Sequence, residues 1–295
     1  MLKAMVVRAG SGWERVLVQR LIEENVEVIA FSGSQRKLET LQINISSPLL
    51  RTVTGDVSNP DEMLDAANGV DIIFCGVYLT YDDKPEKVNQ MLEAVRSVSA
   101  AIGAKLVMVE GVYRPAEVKE SANDPCPNSM RIFSPEMYGQ AASNTLIHYA
   151  LRKMVQGKPV KLLIDPSIRR DYVFVDDAAR YVHELASTES AYGSNWHLCG
   201  NGLISQAELL GFAGSVVQVA PRFETIGKWQ QRLLQWYEPK MRIKLDSYER
   251  SGKDYGTSSL AYEGGSPTSY EEGIALSVKH MLEKYVAEES KGSEK

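Results

Sequence analysis

Two groups of residues in this 295-residue chain combine side-chain type and spacing in ways that suit catalysis, and a third suits phosphate binding. The first is Glu110 with Tyr113. Glu110 follows the apolar run Leu106-Val107-Met108-Val109, which puts an acid at the carboxyl end of a strand, an unusual place unless the acid is used or paired. It is either a general acid/base or half of a salt bridge to a neighbouring Arg or Lys. Tyr78, Tyr81 and Tyr113 project toward the same strand ends, where a tyrosine donates a proton or hydrogen bond or forms an apolar pocket wall. The second group is Tyr149 and Lys153, one turn apart on a helical face. The third is the turn Gly10-Ser11-Gly12-Trp13, where glycines admit phosphate to the backbone N–H groups at a helix start.

The elements that must position these groups follow from the apolar pattern. Met5-Val6-Val7 leads into the glycine turn, a helix-period stretch carries Val16, Leu17, Leu21 and Ile22 on one face, and a second apolar run covers residues 26–31. Strand, glycine turn, helix and strand in this span predict the βαβ unit of a dinucleotide-binding fold. Further strands are expected at 49–54, 71–75 and 105–109, with helices opening at Asn59-Pro60 and spanning 84–102. This alternation predicts an α/β, Rossmann-type doubly wound parallel sheet, whose ligands lie outside the carboxyl ends of the strands. Residues 10–13, 75–81 and 110–113 then surround one cleft.

The glycine turn is incomplete. Read as G-x-G-x-x-G it has Gly10 and Gly12 but Arg15 in the third place, and Trp13 adds bulk where the chain passes phosphate. It is either a dinucleotide site with Arg15 offsetting phosphate charge or a structural turn whose cofactor role has decayed. After the second strand, Ser32-Gly33-Ser34-Gln35-Arg36-Lys37 lacks the acid that bonds ribose hydroxyls in NAD sites. Arg36 and Lys37 suit a 2′-phosphate, which makes the expected cofactor NADP(H), or they are the solvated start of a helix. The cofactor contacts are expected from Gly10, Gly12, Trp13, Ser32, Arg36, Asp56, Val57, Cys75 and Gly76.

Composition narrows the class. At 44% hydrophobic and 24% charged the chain is ordinary globular protein, and a net charge of −5 offers no basic field for nucleic acid or an anionic membrane. No apolar run approaches the ~20 residues of a membrane span, and MLKAMVV runs into a strand without a signal-peptide cleavage site, so a cytoplasmic protein is expected. Cys75, Cys126 and Cys199 are widely separated and suggest a reducing compartment, with neither metal spacing nor a disulfide framework. Cys75 and Cys199, in apolar runs, read as inert core thiols.

The order of these features resembles the extended short-chain dehydrogenase/reductases, the NAD-dependent epimerase/dehydratase group. Gly55-Asp56-Val57 and Glu110-Gly111-Val112-Tyr113 fall in family order. Residues 130–139 resemble the sixth strand, ending in Tyr138-Gly139, and Arg170-Asp171-Tyr172-Val173-Phe174-Val175-Asp176-Asp177 resembles the Arg-Asp-aromatic element. Asn195–Gly200 resembles the strand that follows, Ser205 the start of the next helix, and residues 267–274 that of the last one. The resemblance implies a core of 1–140 completed by 172–200, a C-terminal substrate lobe of 141–171 and 201–286, and a polar frayed tail at 287–295. It places Glu136 and Tyr138 at the end of strand six, within reach of a ligand, and Arg170 against an anionic substrate group or in a pair with Asp171 or Asp176. Asp176 and Asp177 read as caps of a helix starting at 178. The stretch 228–237, with Trp229 and Trp236, reads as an amphipathic lobe helix.

One family feature is missing on this alignment. Family enzymes carry a Ser or Thr after strand five and a Tyr-x-x-x-Lys helix before strand six. Here Glu110-Gly111 stand at the Ser, and residues 114–129 hold prolines and no Tyr. Tyr149 and Lys153 have the spacing but fall in the lobe helix expected at 144–156, and His148 beside them reads as a surface or core histidine. Three readings follow. One is a non-redox enzyme (isomerase, cyclase or lyase) on a small metabolite, with Glu110, Tyr113 and Tyr138 catalytic, Tyr78, Tyr81, Glu136 and Arg170 binding substrate, NADP(H) binding weakened or lost, and no metal. The others are an NADP-dependent reductase or epimerase, and an NmrA-like NADP sensor without catalysis. The absent helix also builds the usual family dimer, so the oligomeric state is left open.

Overall fold

Apolar runs and glycine turns resolve into alternating strands and helices. The chain runs β1 (Lys3–Val7), α1 (Trp13–Glu23), β2 (Glu27–Ser32), α2 (Gln35–Asn44), β3 (Leu50–Thr54), α3 (Pro60–Ala66), β4 (Ile72–Val77), α4 (Pro85–Ile102) and β5 (Lys105–Glu110). There follow β6 (Ser129–Phe133), β7 (Glu136–Tyr138), α5 (Leu146–Val155), β8 (Val160–Leu162), β9 (Arg169–Arg170), β10 (Tyr172–Phe174) and α6 (Val175–Ala186). Then come β11 (Asn195–Leu198), β12 (Ile204–Ser205), α7 (Gln206–Val217), β13 (Phe223–Thr225), β14 (Leu260–Tyr262) and a last helix, α8 (Tyr270–Gly292). This computed structural model describes residues 1–10, 12–80, 82–114, 127–162, 165–225, 260–262 and 264–292, with side chains up to residue 285.

Eight strands form one sheet in the order β14-β11-β6-β5-β4-β1-β2-β3. Every neighbouring pair in it is parallel. Such a sheet must be covered on both faces. Val6, Val28, Ala30 and Phe74 pack toward α1 and α6, while Met5, Ile29, Ile73 and Leu106 pack toward α3 and α4. The strand order reverses between β1 and β4, which is the switch point where ligands of such sheets bind. A third cluster, with Ile147, Leu151, Leu209 and Ile274, joins α5, α7 and α8.

Local signals fix several helix starts. Asn59 accepts the Asp61 N–H (3.1 Å) with Pro60 at the first helical position, and Ser205 and Glu208 form a reciprocal capping box at α7. Thr145 caps α5 by accepting the His148 N–H at 3.2 Å.

Four expectations are corrected. Residues 130–139 do not form one strand: β6 ends at Phe133, and β7 pairs with β10 outside the main sheet. Pro135, lacking an N–H, interrupts the ladder. Asp176 and Asp177 lie inside the first turn of α6, whose N-cap is Phe174. Asp177 accepts from Arg180 (2.8 Å) and from the Thr268 N–H (2.8 Å), tying α6 to the approach to α8. Trp13 does not crowd the phosphate path: it is 3% exposed and sits in the core beneath the turn. The helical backbone of α8 continues to Gly292, because the Ala, Glu and Lys residues past 286 are good helix formers.

Candidate functional site

The carboxyl ends of β1 and β4 face each other across the switch point, and an ion pair spans them. Arg8, at φ +64 just after β1, donates from Nη2 to Asp83 Oδ1 (2.6 Å) in the loop after β4 and from Nη1 to the Gly76 carbonyl (3.4 Å). The Asp83 side chain is only 5% exposed. Burial opposes the Arg8 charge, but Glu14 and Asp83 together outweigh it and raise its pKa. Neither residue of the pair was singled out in the sequence, where they stand 75 positions apart.

Glu14 is a third residue that sequence reasoning missed. It is buried in the first turn of α1, folded beneath the glycine turn. A β-carbon at Gly12 would lie 3.0 Å from Glu14 Oε2, and one at Gly76 would lie 2.9 Å from Oε1 and 2.6 Å from Trp13 Nε1. Burial pushes the Glu14 carboxyl up to about 7, against the opposing attraction of Arg8. The same burial drives the Cys75 thiol up to about 12, consistent with an inert core cysteine.

The two glycines of the turn hold backbone angles that residues with side chains rarely adopt. Gly10 and Gly12 have φ of +98 and +65, which disfavours any side chain there. At Gly10 a β-carbon would also come within 3.1 Å of the Lys37 backbone, so the turn is pressed against α2. Gly10, Gly12 and Arg15 line an open cavity of about 410 Å³ that is bordered also by the 140–143 segment, by His148 and Arg152 of α5, and by His280 and Lys284 of α8. A second cavity, of about 430 Å³, is lined by Asp56, Val57, Arg8, Asp83 and the start of α4.

The remaining expected cofactor contacts are dispersed. Ser32 is buried, with Oγ facing the Ser34 N–H at 3.4 Å, Arg36 is exposed, and Gly76 is pressed against Trp13 and Glu14.

The expected catalytic residues line neither cavity. Glu110 is buried with Oε1 bonded to Arg114 (2.9 Å) and Oε2 to Arg131 (2.8 Å). Tyr113 is fully buried; it donates to Glu136 Oε1 (2.7 Å) and accepts the Leu146 N–H (2.8 Å). Glu136 Oε1 also accepts the Ile147 N–H (3.0 Å), so this Tyr–Glu pair seats the N-terminus of α5 with favourable dipole charge. Burial, then Glu136, raises the Tyr113 pKa well above its ordinary value. Tyr138 packs between Phe174 (5.5 Å) and Tyr270 (6.0 Å) in the lobe core.

Tyr78, at φ +53, keeps its hydroxyl buried without a hydrogen bond among the described residues, and burial followed by Glu110 pushes it up to about 12. Arg170 is half-buried in β9, paired with β12, and lines neither cavity. Tyr149 and Lys153 share a face of α5, with Nζ 5.6 Å from the ring centroid, but the face lining the cavity is that of His148 and Arg152. Tyr81, Cys126, the stretch 228–237 and residues 115–126 of the expected gap lie outside the described residues.

Comparison with known proteins shows what the chain is similar to. Residues 126–197 match the NAD-dependent epimerase/dehydratase family model. Over nearly its full length the chain superposes on solved structures of enzymes. DesIV, a dTDP-glucose 4,6-dehydratase from Streptomyces venezuelae with NAD bound, gives a TM-score of 0.69 at 17% identity, covering 97% of this chain and 98% of that one. The Bordetella bronchiseptica enzyme WbmF, in complex with NAD+ and UDP, gives 0.65 at 16% identity, covering 98% and 95%. Both show a shared fold.

In sequence the chain is similar to UDP-glucose 4-epimerase of Rickettsia canadensis, 31% identical over 119 residues. That match takes in 36% of this chain and 35% of the relative, so the chain spans about a third of the curated protein it matches. The resemblance to the epimerase/dehydratase group of the extended short-chain dehydrogenase/reductases therefore holds in the overall fold and in the segment from β6 to β11. Among the described residues no helix is long and apolar enough to cross a membrane.

Proposed function

We propose that this chain is an enzyme on the short-chain dehydrogenase/reductase scaffold that performs a non-redox step (isomerisation, cyclisation or elimination) on a small metabolite, with its NADP(H) site weakened or lost. The observation that carries this reading is the Arg8–Asp83 ion pair across the switch point. A dinucleotide laid from Asp56 and Val57 over Gly10 and Gly12 has to cross that pair. It also brings its pyrophosphate toward the Asp83 side chain and toward Glu14, whose carboxyl ionises only as pH rises past about 7, so repulsion opposes it in the alkaline range. The ion pair and the buried Glu14 together support a weakened or absent dinucleotide there. Catalysis, rather than binding alone, is supported by the enzymes that the chain resembles.

A second reading, a binding protein without catalysis, is favoured by one observation. Glu110, Tyr113 and Tyr138 are all engaged in ion pairs, hydrogen bonds or packing that hold elements together. The reductase or epimerase reading is disfavoured by Tyr149 and Lys153 standing off the cavity-lining face of α5.

Incubation of the protein with UDP-glucose and NAD+, followed by chromatography of the sugar nucleotides, tests the proposal against the relatives' chemistry. The expected result is no 4-epimer and no NADH. Catalytic formation of the 4-epimer would overturn the non-redox reading.

A further inference from the structure

The cavity at the glycine turn has a charge distribution that the fold alone does not require. Arg15 of α1, Arg152 of α5 and Lys284 of α8 come to it from three separate helices, and no Asp or Glu is among the described residues that line it. None of the three forms an ion pair with a carboxylate among the described residues. The acids that feel this ring from outside, Asp176 toward Arg15 and Glu283 toward His280, do not bridge to it. Bringing three unpaired cations around one space costs free energy unless an anion offsets it. The N-terminus of α1, eleven residues long and without a side-chain cap, adds N–H groups and dipole charge at Gly12.

The two histidines of the cavity sense the same field. Burial, then Arg152 and Lys284, lowers His148 to about 4, while burial, Lys284 and Arg15 lower His280. Both are neutral donors at neutral pH, and His148 Nδ1 and His280 Nε2 have no hydrogen-bond partner among the described residues.

We infer that this cavity binds a small phosphoryl-bearing metabolite, its phosphate clamped by Arg15, Arg152 and Lys284. The volume, about 410 Å³, lies within the ordinary range for small-molecule pockets. Gln140, Ser143 and Gln156 in the wall offer neutral hydrogen-bonding groups for the rest of the molecule. The inference rests on the non-redox reading above, because a dinucleotide on Gly10 and Gly12 would take the same space. It goes further by assigning α5 and α8 a binding role and naming the ligand class.

Calorimetric titration with inorganic pyrophosphate, with succinate as a dicarboxylate control, tests it on the full chain and on the Arg152→Gln/Lys284→Gln double variant. Both side chains are exposed at helix surfaces, so the variant is expected to keep the wild-type melting temperature. The expected result is saturable pyrophosphate binding that weakens with salt and falls by about tenfold per cation removed, with succinate much weaker. Absence of pyrophosphate binding, binding unchanged in the variant, or succinate binding as tightly overturns the inference. Catalysis of the redox kind with pyrophosphate binding intact would instead remove the non-redox reading and leave the anion site standing, so the two failures are distinguishable.

Discussion

Replacing Glu110 by Gln should lower the melting temperature by roughly 6–12 °C, from a loss of about 3 kcal/mol. The reason lies in what the carboxylate holds. Its two oxygens bond guanidiniums from two places, Arg114 beyond the end of β5 and Arg131 inside β6, and the Glu110 and Arg131 side chains are 9% and 12% exposed. The substitution removes the counter-charge but leaves the Arg131 cation inside β6 in place, and a buried charge stripped of its counter-ion costs more than the intact pair contributes. A thermal melt of E110Q against wild type measures this directly. An unchanged melting temperature would show that the pairs carry little energy and would leave Glu110 free to act on a ligand.

The second large effect concerns Glu14 and pH. Its carboxyl titrates near 7 in the folded protein against an ordinary value of 4.5. Between those values the folded state binds more protons than the unfolded chain. The stabilising proton is fully present below about pH 4.5 and is lost as pH rises through about 7. Above that the loss approaches about 3 kcal/mol, because each tenfold difference in proton affinity between the two states is worth about 1.4 kcal/mol. Glu14→Gln has no such proton to lose. Urea unfolding at pH 5 and pH 8 should therefore show wild type losing about 2.5 kcal/mol more than E14Q across that interval, with the variant the more stable of the two at pH 8. Equal pH dependence in both proteins would mean that the carboxyl is solvated rather than trapped beneath the turn. Arg8 does not lose its only partner in this variant, because Asp83 stays within 2.6 Å.

These two residues also show where sequence reasoning reached its range. The βαβ alternation, the Asn59-Pro60 start and the Ser205 cap are set by neighbours within four positions, so the chain reveals them without its fold. The parallel sheet followed from the same local periodicity. Glu110 was legible as an acid in an odd place, but its partners were not: Arg131 is 21 residues away, and only the β5–β6 register brings the two together. Glu14 reads in sequence as an ordinary acid at a helix N-terminus, where the dipole favours it. Its burial depends on Gly12 and Gly76 leaving room. The break at Pro135 was visible as a residue type, yet the family-like run from 130 to 139 argued for continuity. The cation ring was the least legible of all. Arg15, Arg152 and Lys284 are 137 and 132 positions apart along the chain and meet only because α1, α5 and α8 border the same cavity.

The split between structural and functional roles is as informative as the positions. Glu136 and Tyr113 look like site residues because they are polar and lie at strand ends, but their bonds run to the N–H groups of Leu146 and Ile147. A helix N-terminus needs acceptors, and a buried carboxylate needs donors, so each supplies the other. Among the charges outside such pairing, Arg15, Arg152 and Lys284 are set apart by bordering one cavity.

Calorimetric titration of nucleotide-stripped protein with NADP+ tests most directly whether the cofactor path is closed. The Arg8–Asp83 bridge and the Glu14 carboxyl predict no saturable binding below millimolar concentration at pH 8. One-to-one binding in the micromolar range would contradict the account, since it would require the dinucleotide to cross the switch point with that ion pair in place or readily displaced.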